Sequence, residues 1–160
     1  MATVVFPGSF DPFTLGHVDI AVRARQLFDT VIIAVAHNSQ KTPLLDVGIR
    51  VDLARSAISH VEGIEVAVAD GLLVDFCETH GAVAIVKGLR GGADYDVERP
   101  MALMNRSLTG IETVFITGDS ALSHIASSLV RDVARHGGDV SAYVPPGVES
   151  AVLAALRAQK

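Results

Sequence analysis

The sequence predicts an α/β protein built on a doubly wound, five-stranded parallel sheet. Short apolar runs rich in valine, isoleucine and alanine alternate along the chain with longer segments of helical periodicity. The apolar runs are nearly continuous, as expected for strands that helices cover on both faces. Right-handed crossovers then make the strands parallel, and ligands bind beyond their carboxyl ends, where the strand order reverses.

Strands and helices are predicted in strict alternation. The strands are predicted at Thr3–Phe6, Thr30–Ala36, Ile64–Ala69, Ala82–Val86 and Thr113–Thr117. The helices are predicted at residues 16–28, 46–60, 72–80, 94–108 and 123–136, followed by a terminal amphipathic helix at 148–158. The candidate functional segments follow predicted strands, so one cleft can gather them.

Composition limits the class of protein. Hydrophobic residues make up 49% of the 160 residues against 19% charged residues, which excludes a disordered chain and predicts one domain spanning residues 1–160. The net charge of −5 argues against broad binding to nucleic acid or to a membrane surface, so neither partner is expected. No apolar run approaches the length of a membrane span.

Cysteine content and hydropathy predict location and assembly. The single cysteine, Cys77, excludes an intramolecular disulfide and fits a reducing cytoplasm. Cys77 and His80 have the spacing of a metal-binding pair on a helix, but no second pair accompanies them, so a buried thiol and a surface histidine are favoured. The mean hydropathy of +0.40 predicts a homo-oligomer, with a well-filled three-layer monomer as the alternative.

The segment after the first strand has the pattern of a phosphate-binding loop. Pro7–His17 contains two prolines and two glycines and leads into a helical pattern. Thr14 occupies an N-cap position, which places His17 in the electropositive first turn. Gly16 has no side chain and Ser9 supplies a hydroxyl, so an anion could reach free backbone N–H groups. The alternative is an ordinary capped loop with a surface histidine.

A basic, glycine-rich segment follows the fourth strand. Lys87 and Arg90 flank Gly88, so charge and backbone can both approach a polyphosphate. The segment is not a Walker loop, and the chain contains no GxGxxG pattern. A basic turn without a functional role is the alternative.

Further polar candidates lie in two other loops. Ser127 and Ser128 precede an apolar-periodic segment, and one of them is expected to be the N-cap of a helix facing the cleft. Lys41 lies in the polar loop 37–43, where it could bring a charge to a phosphate or remain solvated. These segments supply positive charges and backbone N–H groups, but no arrangement with the distinctive spacing of a covalent nucleophile. Such a set of groups suits direct phosphoryl or nucleotidyl transfer.

Three motifs in register resemble one enzyme family. Thr14-Leu15-Gly16-His17 resembles the (H/T)xGH signature of a nucleotidyltransferase superfamily. Together with Lys87-Gly88-Leu89-Arg90 and Ile125-Ala126-Ser127-Ser128, it resembles the bacterial pantetheine-phosphate adenylyltransferases over essentially the whole chain. The resemblance implies a Rossmann-like nucleotidyltransferase fold.

The resemblance also implies an activity. The phosphate of 4′-phosphopantetheine attacks the α-phosphorus of ATP in line and without a covalent intermediate, giving dephospho-coenzyme A and pyrophosphate in a reversible step of coenzyme A biosynthesis. It further implies Mg²⁺ carried by the ATP phosphates, coenzyme A as an inhibitor and a homohexamer. The alternatives are a related enzyme with another acceptor, nicotinate mononucleotide or a polyol phosphate, or a nucleotide-binding sensor without turnover.

Residue roles follow from the same resemblance. His17 stabilises the pentacoordinate transition state, with Ser9, Lys41 and Arg90 as the other catalytic residues. The ATP-binding residues are Ser9, Phe10, His17, Gly88, Leu89, Arg90, Glu98, Leu122, Ser123, His124, Ile125, Ala126, Ser127 and Ser128. The phosphopantetheine-binding residues are Ser9, Lys41, Leu72, Leu73, Lys87 and Asp132.

The sequence departs from the family pattern at several of these positions. Lys87 replaces an arginine, Leu122 an aromatic residue, His124 a phenylalanine, Ala126 a serine and Asp132 a glutamate.

Two expectations concern helices near the candidate site. Pro100 fits an unbent helix only if that helix begins near it, which affects the placement of Glu98. Leu72 and Leu73 follow helical spacing and are expected to pack in the core as well as to line the pantetheine slot.

Overall fold

One parallel sheet organises the computed structural model, which describes residues 1–38 and 40–160. Its strands are β1 (Thr3–Gly8), β2 (Thr30–His37), β3 (Ile64–Asp70), β4 (Ala84–Leu89) and β5 (Glu112–Thr117). They lie in the order β3–β2–β1–β4–β5, and all neighbouring pairs are parallel. The predicted doubly wound architecture is confirmed.

Helices cover both faces of the sheet. They are α1 (Leu15–Leu27), α2 (Val47–Ile58), α3 (Leu73–Thr79), α4 (Gly92–Thr109), α5 (Ser127–Arg135) and α6 (Val148–Ala158), with 3₁₀ turns at Ser120–Leu122 and Ser141–Tyr143. On one face α1 and α2 bury Ile20 and Val51 against the sheet. On the other face α3 buries Phe76 and Cys77. None of the described helices combines the length and apolar character needed to cross a bilayer.

The strand order reverses at the centre of the sheet. Val4 of β1 pairs with Val31 of β2 on one side and with Ala84 of β4 on the other. The chain therefore leaves β1 and β4 in opposite directions, and their following loops separate at the carboxyl edge. This position is where a ligand-binding crevice is expected.

Strand β4 is longer at its carboxyl end than the sequence predicts. Lys87 and Gly88 belong to the strand, where they pair with Phe115 and Ile116 of β5, whereas the prediction ended the strand at Val86. A Cβ atom at Gly88 would lie 2.7 Å from Cγ1 of Ile20, so the glycine permits α1 to pack closely on the strand. The predicted boundary was wrong because this packing partner is distant in sequence.

Pro100 lies inside α4 rather than near its beginning, so the condition stated for an unbent helix is not met. The helix begins at Gly92 and continues to Thr109. Proline removes one backbone donor from a helix. Before this position Tyr95 packs edge-on against Phe115 of β5, and after it Arg106 donates to Glu112 of β5. Tertiary packing therefore maintains the helix across the missing hydrogen bond.

The start of α5 also differs from the prediction. The predicted helix 123–136 is shorter in the structure, where α5 spans residues 127–135 and a separate 3₁₀ turn at 120–122 precedes it. Ala126 rather than a serine holds the N-cap position. The Ser127 hydroxyl instead donates a hydrogen bond to the carbonyl of Pro12 at 2.8 Å. The expected serine cap was wrong because a partner 115 residues away takes this hydroxyl.

Leu72 is exposed rather than buried. It occupies the N-cap position of α3 with 59% of its surface accessible, so its predicted place in the core was wrong. Leu73, one residue later, is half-buried and packs against the apolar cluster that contains Phe76. The helix begins too late for both leucines to face the sheet.

Candidate active site

A cavity of about 390 Å³ opens at the carboxyl ends of β1 and β4, where the strand order reverses. Its walls come from the loop after β1, the first turns of α1 and α4, the segment after β5 and the start of α5. Most of the predicted ATP-binding residues line it: Phe10, His17, Gly88, Leu89, Arg90, Glu98, Leu122, Ser123, Ile125, Ala126, Ser127 and Ser128.

His17 is fixed in the first turn of α1 by a capping box. The Thr14 hydroxyl accepts a hydrogen bond from the His17 backbone N–H at 3.4 Å, which confirms Thr14 as the N-cap. In return, the Thr14 backbone N–H donates to Nδ1 of the His17 ring at 3.0 Å. Because Nδ1 accepts this hydrogen bond, the proton of the neutral ring is assigned to Nε2.

The surroundings of His17 keep its ring neutral. Phe6, Phe10 and Phe13 place their ring centroids 6.4, 4.9 and 5.3 Å from that of His17. Burial, followed by the nearby charges of Arg90 and Lys87, lowers the pKa of His17 from 6.5 to about 4. At neutral pH, His17 is therefore an uncharged hydrogen-bond donor through Nε2–H.

Lys87 and Arg90 are each paired with a carboxylate of α4. Lys87 Nζ lies 3.2 Å from Glu98 Oε1. Arg90 donates from its backbone N–H to Asp94 Oδ2 at 2.7 Å, and its guanidinium contacts both carboxylate oxygens at 3.2 and 3.3 Å. Burial alone would raise the pKa of Asp94, but hydrogen bonds from Arg90 hold it below its ordinary value. These pairs orient two positive charges beside His17.

Arg90 also connects the two sides of the cavity. Its Nη1 donates to the carbonyl of Ile125 at 3.3 Å, which links the end of β4 to the segment before α5. The N-terminal turn of α5, with Ser127 and Ser128, lines the cavity, and Ala126 provides no side-chain cap for it. Uncapped N–H groups at a helix N-terminus attract anions.

A third cation was missed by the sequence analysis. Arg131 lines the cavity, and its Nη1 donates to the carbonyl of Asp11. Arg131 follows Ser127 by four residues, so the two side chains share one face of α5. That spacing is the signal that could have identified it.

A buried charged network behind the cavity was also missed. The Asp11 carboxylate accepts hydrogen bonds from the backbone N–H groups of Leu44 and Leu45, both at 2.9 Å. The guanidinium of Arg50, which is 3% exposed, donates to three backbone carbonyls, those of Ser9, Ala36 and Leu45. The network therefore joins the loop after β1 to the segment after β2.

Several predicted site residues lie outside the cavity lining. These are Ser9, Lys41, Leu72, Leu73, His124 and Asp132. Lys41 is exposed in the segment after β2, and Ser39 of the same predicted loop lies outside the described residues. His124 packs edge-on against Tyr143 with centroids 5.8 Å apart. Asp132 is exposed on α5, 3.6 Å from His136.

Cys77 is buried, as predicted, and lies on α3 rather than at the cavity. Burial raises the pKa of its thiol to about 11. The thiolate is the nucleophilic form of cysteine, so this side chain is unreactive at neutral pH.

The parallel sheet, with a crevice at its reversal point that contains Lys87, Arg90 and an uncapped helix N-terminus, has the form of an α/β nucleotide-binding protein. A family model described as cytidylyltransferase-like matches residues 5–133. A phosphopantetheine adenylyltransferase of Methylococcus capsulatus is 48% identical over 152 residues, covering 94% of each chain. One from Kocuria rhizophila is 50% identical over 149 residues, covering 92% of this chain and 96% of the relative. The chain belongs to the phosphopantetheine adenylyltransferase family within the cytidylyltransferase-like proteins.

A solved structure agrees with the fold. A protein from Vibrio parahaemolyticus, described as a nicotinate-nucleotide adenylyltransferase, superposes with a TM-score of 0.69 at 20% identity, covering 100% of this chain and 98% of that chain. The likeness supports the arrangement of strands and helices described above.

Proposed function

We propose that this chain transfers the adenylyl group of ATP to 4′-phosphopantetheine, forming dephospho-coenzyme A and pyrophosphate. The observation that carries the proposal is the position of His17, a neutral Nε2–H donor in the same cavity as Lys87 and Arg90. A neutral donor that shares a cavity with two cations suits the stabilisation of charge on a reacting phosphoryl group.

The reaction is a direct displacement at the α-phosphorus of ATP. An oxygen of the acceptor phosphate forms the new bond to phosphorus, and the bond to the bridging oxygen of the β-phosphate breaks, so pyrophosphate leaves with the bonding electrons. His17 Nε2–H donates to an oxygen of the α-phosphate as negative charge grows in the transition state. A phosphate acceptor is already nucleophilic near neutral pH, so the step needs no general base.

The remaining groups position the two substrates. Arg90 and the first turn of α5, with Ser127 and Ser128, hold the β- and γ-phosphates, and Lys87 holds the acceptor phosphate. From outside the cavity lining, Ser9 and Lys41 orient the reacting phosphates. The pantetheine arm extends over Leu72, Leu73 and Asp132. Positioning and charge stabilisation supply most of the catalysis in such transfers.

Magnesium enters as part of the substrate, the Mg²⁺–ATP complex. Of the four carboxylates that line the cavity, Asp94 and Glu98 pair with Arg90 and Lys87, and Asp19 pairs with Arg23. Within residues 1–38 and 40–160, no cluster of three histidine, cysteine or acidic side chains could hold a metal. The donor set therefore fits a metal coordinated mainly by phosphate oxygens and water, where it neutralises charge on the leaving pyrophosphate.

The proposal includes a homo-oligomer, a hexamer by family resemblance, in the cytoplasm. Helix α4 exposes an apolar stripe formed by Val97, Met101, Met104 and Leu108, which are 75, 57, 56 and 55% exposed. Large exposed apolar stripes on a helix are typical of subunit contacts. Contact with a second copy would cover this stripe, and coenzyme A is proposed as an inhibitor that resembles the product.

A pyrophosphate-release assay tests the proposed activity. The chain is incubated with Mg²⁺–ATP and, separately, 4′-phosphopantetheine, nicotinate mononucleotide and a polyol phosphate. Release with phosphopantetheine at a kcat/KM at least about a hundredfold above that of the other acceptors supports the proposal. Pyrophosphate release with only one of the other acceptors would show that the chain is a related transferase. ATP binding without release by any acceptor would indicate a sensor.

A further inference from the structure

Asp19 lies two residues after His17 on α1 and lines the same cavity. Its Oδ2 accepts a hydrogen bond from the backbone N–H of Asp119 at 2.8 Å, across 100 residues of chain. Its Oδ1 accepts from Nε of Arg23 at 2.9 Å. The side chain is 19% exposed, so this carboxylate is held from both sides in a largely enclosed position.

Asp119 begins the segment that forms one wall of the cavity. The Asp119 side chain accepts a hydrogen bond from the Ala121 N–H at 2.9 Å and caps the 3₁₀ turn 120–122. Leu122 and Ser123, at the end of this turn, line the cavity. Asp19 therefore sets the separation between the helix that carries His17 and the wall formed by residues 118–123.

The contact between α1 and this wall is close. A Cβ atom at Gly118 would lie 3.3 Å from Oδ2 of Asp19, so the glycine allows the backbone to approach the carboxylate. The backbone N–H of Gly118 also donates to the carbonyl of Leu89 at 3.2 Å, next to Arg90. The wall is thus attached to α1 at one point and to the end of β4 at another.

The chemistry of the walls indicates which part of ATP lies here. Arg90 and the N-terminus of α5 attract the phosphates to their side of the cavity. The nucleoside must then contact the wall of backbone and apolar side chain that Gly118 and Leu122 provide. A base in a binding site is held by such apolar and backbone contacts.

We propose that Asp19 is a positioning residue for the nucleoside of ATP, acting through the backbone of Asp119, with Arg23 orienting the carboxylate. Asp19 holds the wall at the spacing that lets one ligand contact residues 118–123 and His17 together. The inference rests on the proposed adenylyl transfer. It predicts that loss of the Asp19 carboxylate raises KM for ligands that carry adenosine and changes KM for the acceptor little.

Steady-state kinetics in both directions test this inference with three variants. Asp19→Ala is expected to raise KM for ATP and for dephospho-coenzyme A about tenfold, with KM for phosphopantetheine changed less than about twofold. Asp19→Asn retains a carbonyl oxygen for the Asp119 N–H and is expected to keep KM for ATP within about threefold of the wild type. Asp29→Ala is the matched control, because Asp29 makes the same kind of bond to the Ala2 N–H outside the cavity.

Equal changes in both KM values, or no change in KM for ATP, would overturn the inference. If Asp19→Ala does not fold, Arg23→Ala is used for the test. The Arg23 side chain is 43% exposed, so its removal is expected to leave the fold intact. A two- to threefold rise in KM for ATP alone then supports the inference, and unchanged kinetics overturn it. ATP affinities of the wild type and Asp19→Ala are also measured by calorimetry, which needs no acceptor. This measurement tests the inference even if the proposed transfer to phosphopantetheine fails.

Discussion

Thr14 and His17 hold each other by reciprocal hydrogen bonds at the start of α1. The Thr14 hydroxyl accepts from the His17 N–H, and the Thr14 N–H donates to Nδ1 of His17. The same pair caps the helix and selects the ring tautomer, so helix stability and the orientation of the proposed catalytic donor depend on one local structure.

Replacing His17 tests its role in the transition state. His17→Ala is expected to lower kcat by about a hundredfold or more while ATP affinity changes less than about threefold, because the Nε2–H contact strengthens as charge develops. Single-turnover rates and calorimetry measure the two effects. The control is His60→Ala, since His60 is exposed just after α2 and does not line the cavity. Parallel losses of binding and turnover would contradict the assigned role.

Thr14 variants test the coupling between cap and catalysis. Thr14→Ala removes the hydroxyl acceptor and is expected to lower the free energy of unfolding by about 1 kcal/mol. It should also lower kcat by about tenfold, because the Thr14 hydroxyl lies 3.2 Å from Nδ1 and helps to hold the His17 ring in place. Thr14→Ser keeps the acceptor and should restore both values. Urea denaturation and kcat measured on the same samples give the comparison, and a loss of stability with kcat unchanged would disprove the coupling.

The lowered pKa of His17 predicts a pH dependence of stability. Between pH 6.5 and about 4 the unfolded chain protonates His17 while the folded chain keeps it neutral. The unfolded state then binds more protons, so stability falls as pH decreases through this window and is fully present above it. The contribution is on the order of 3 kcal/mol.

Urea denaturation at pH 7 and at pH 4.5, on wild type and His17→Gln, measures this contribution. The variant lacks the titrating group, so it should lose less stability on acidification than the wild type. An NMR titration of the His17 ring, assigned with the same variant, should place its midpoint near the lowered pKa. A midpoint at the ordinary value would show that the ring is not shielded as described.

Lys87 is expected to act on the acceptor. Lys87→Ala should raise KM for phosphopantetheine about tenfold and KM for ATP by less, since Arg90 and the α5 N-terminus remain. Lys87→Arg, which restores the residue expected from family resemblance, should lower KM for phosphopantetheine through a bidentate contact. Steady-state kinetics with each substrate varied in turn provide the measurement. A larger effect on ATP than on phosphopantetheine would reassign Lys87 to the nucleotide.

Local sequence patterns were sufficient to predict much of the fold and part of the candidate site. The parallel sheet, the Thr14 cap and the first-turn position of His17 follow from periodicity and from residue preferences at helix ends, which act over a few residues. Lys87 and Arg90, which line the cavity, were selected because charge and glycine occur together just after the predicted end of a strand. The terminal helix Val148–Ala158 was also predicted at its observed bounds.

Only the tertiary structure decided the interactions between distant segments. Ser127 bonds to Pro12 instead of capping α5, and Asp19 on α1 accepts a hydrogen bond from the backbone of Asp119 after β5. The partners of buried Arg50 likewise come from segments that are separate in sequence. The spacing of residues within one segment does not reveal such partners. Hydrogen bonds between segments depend on the order of the strands in the sheet and on the packing of the helices.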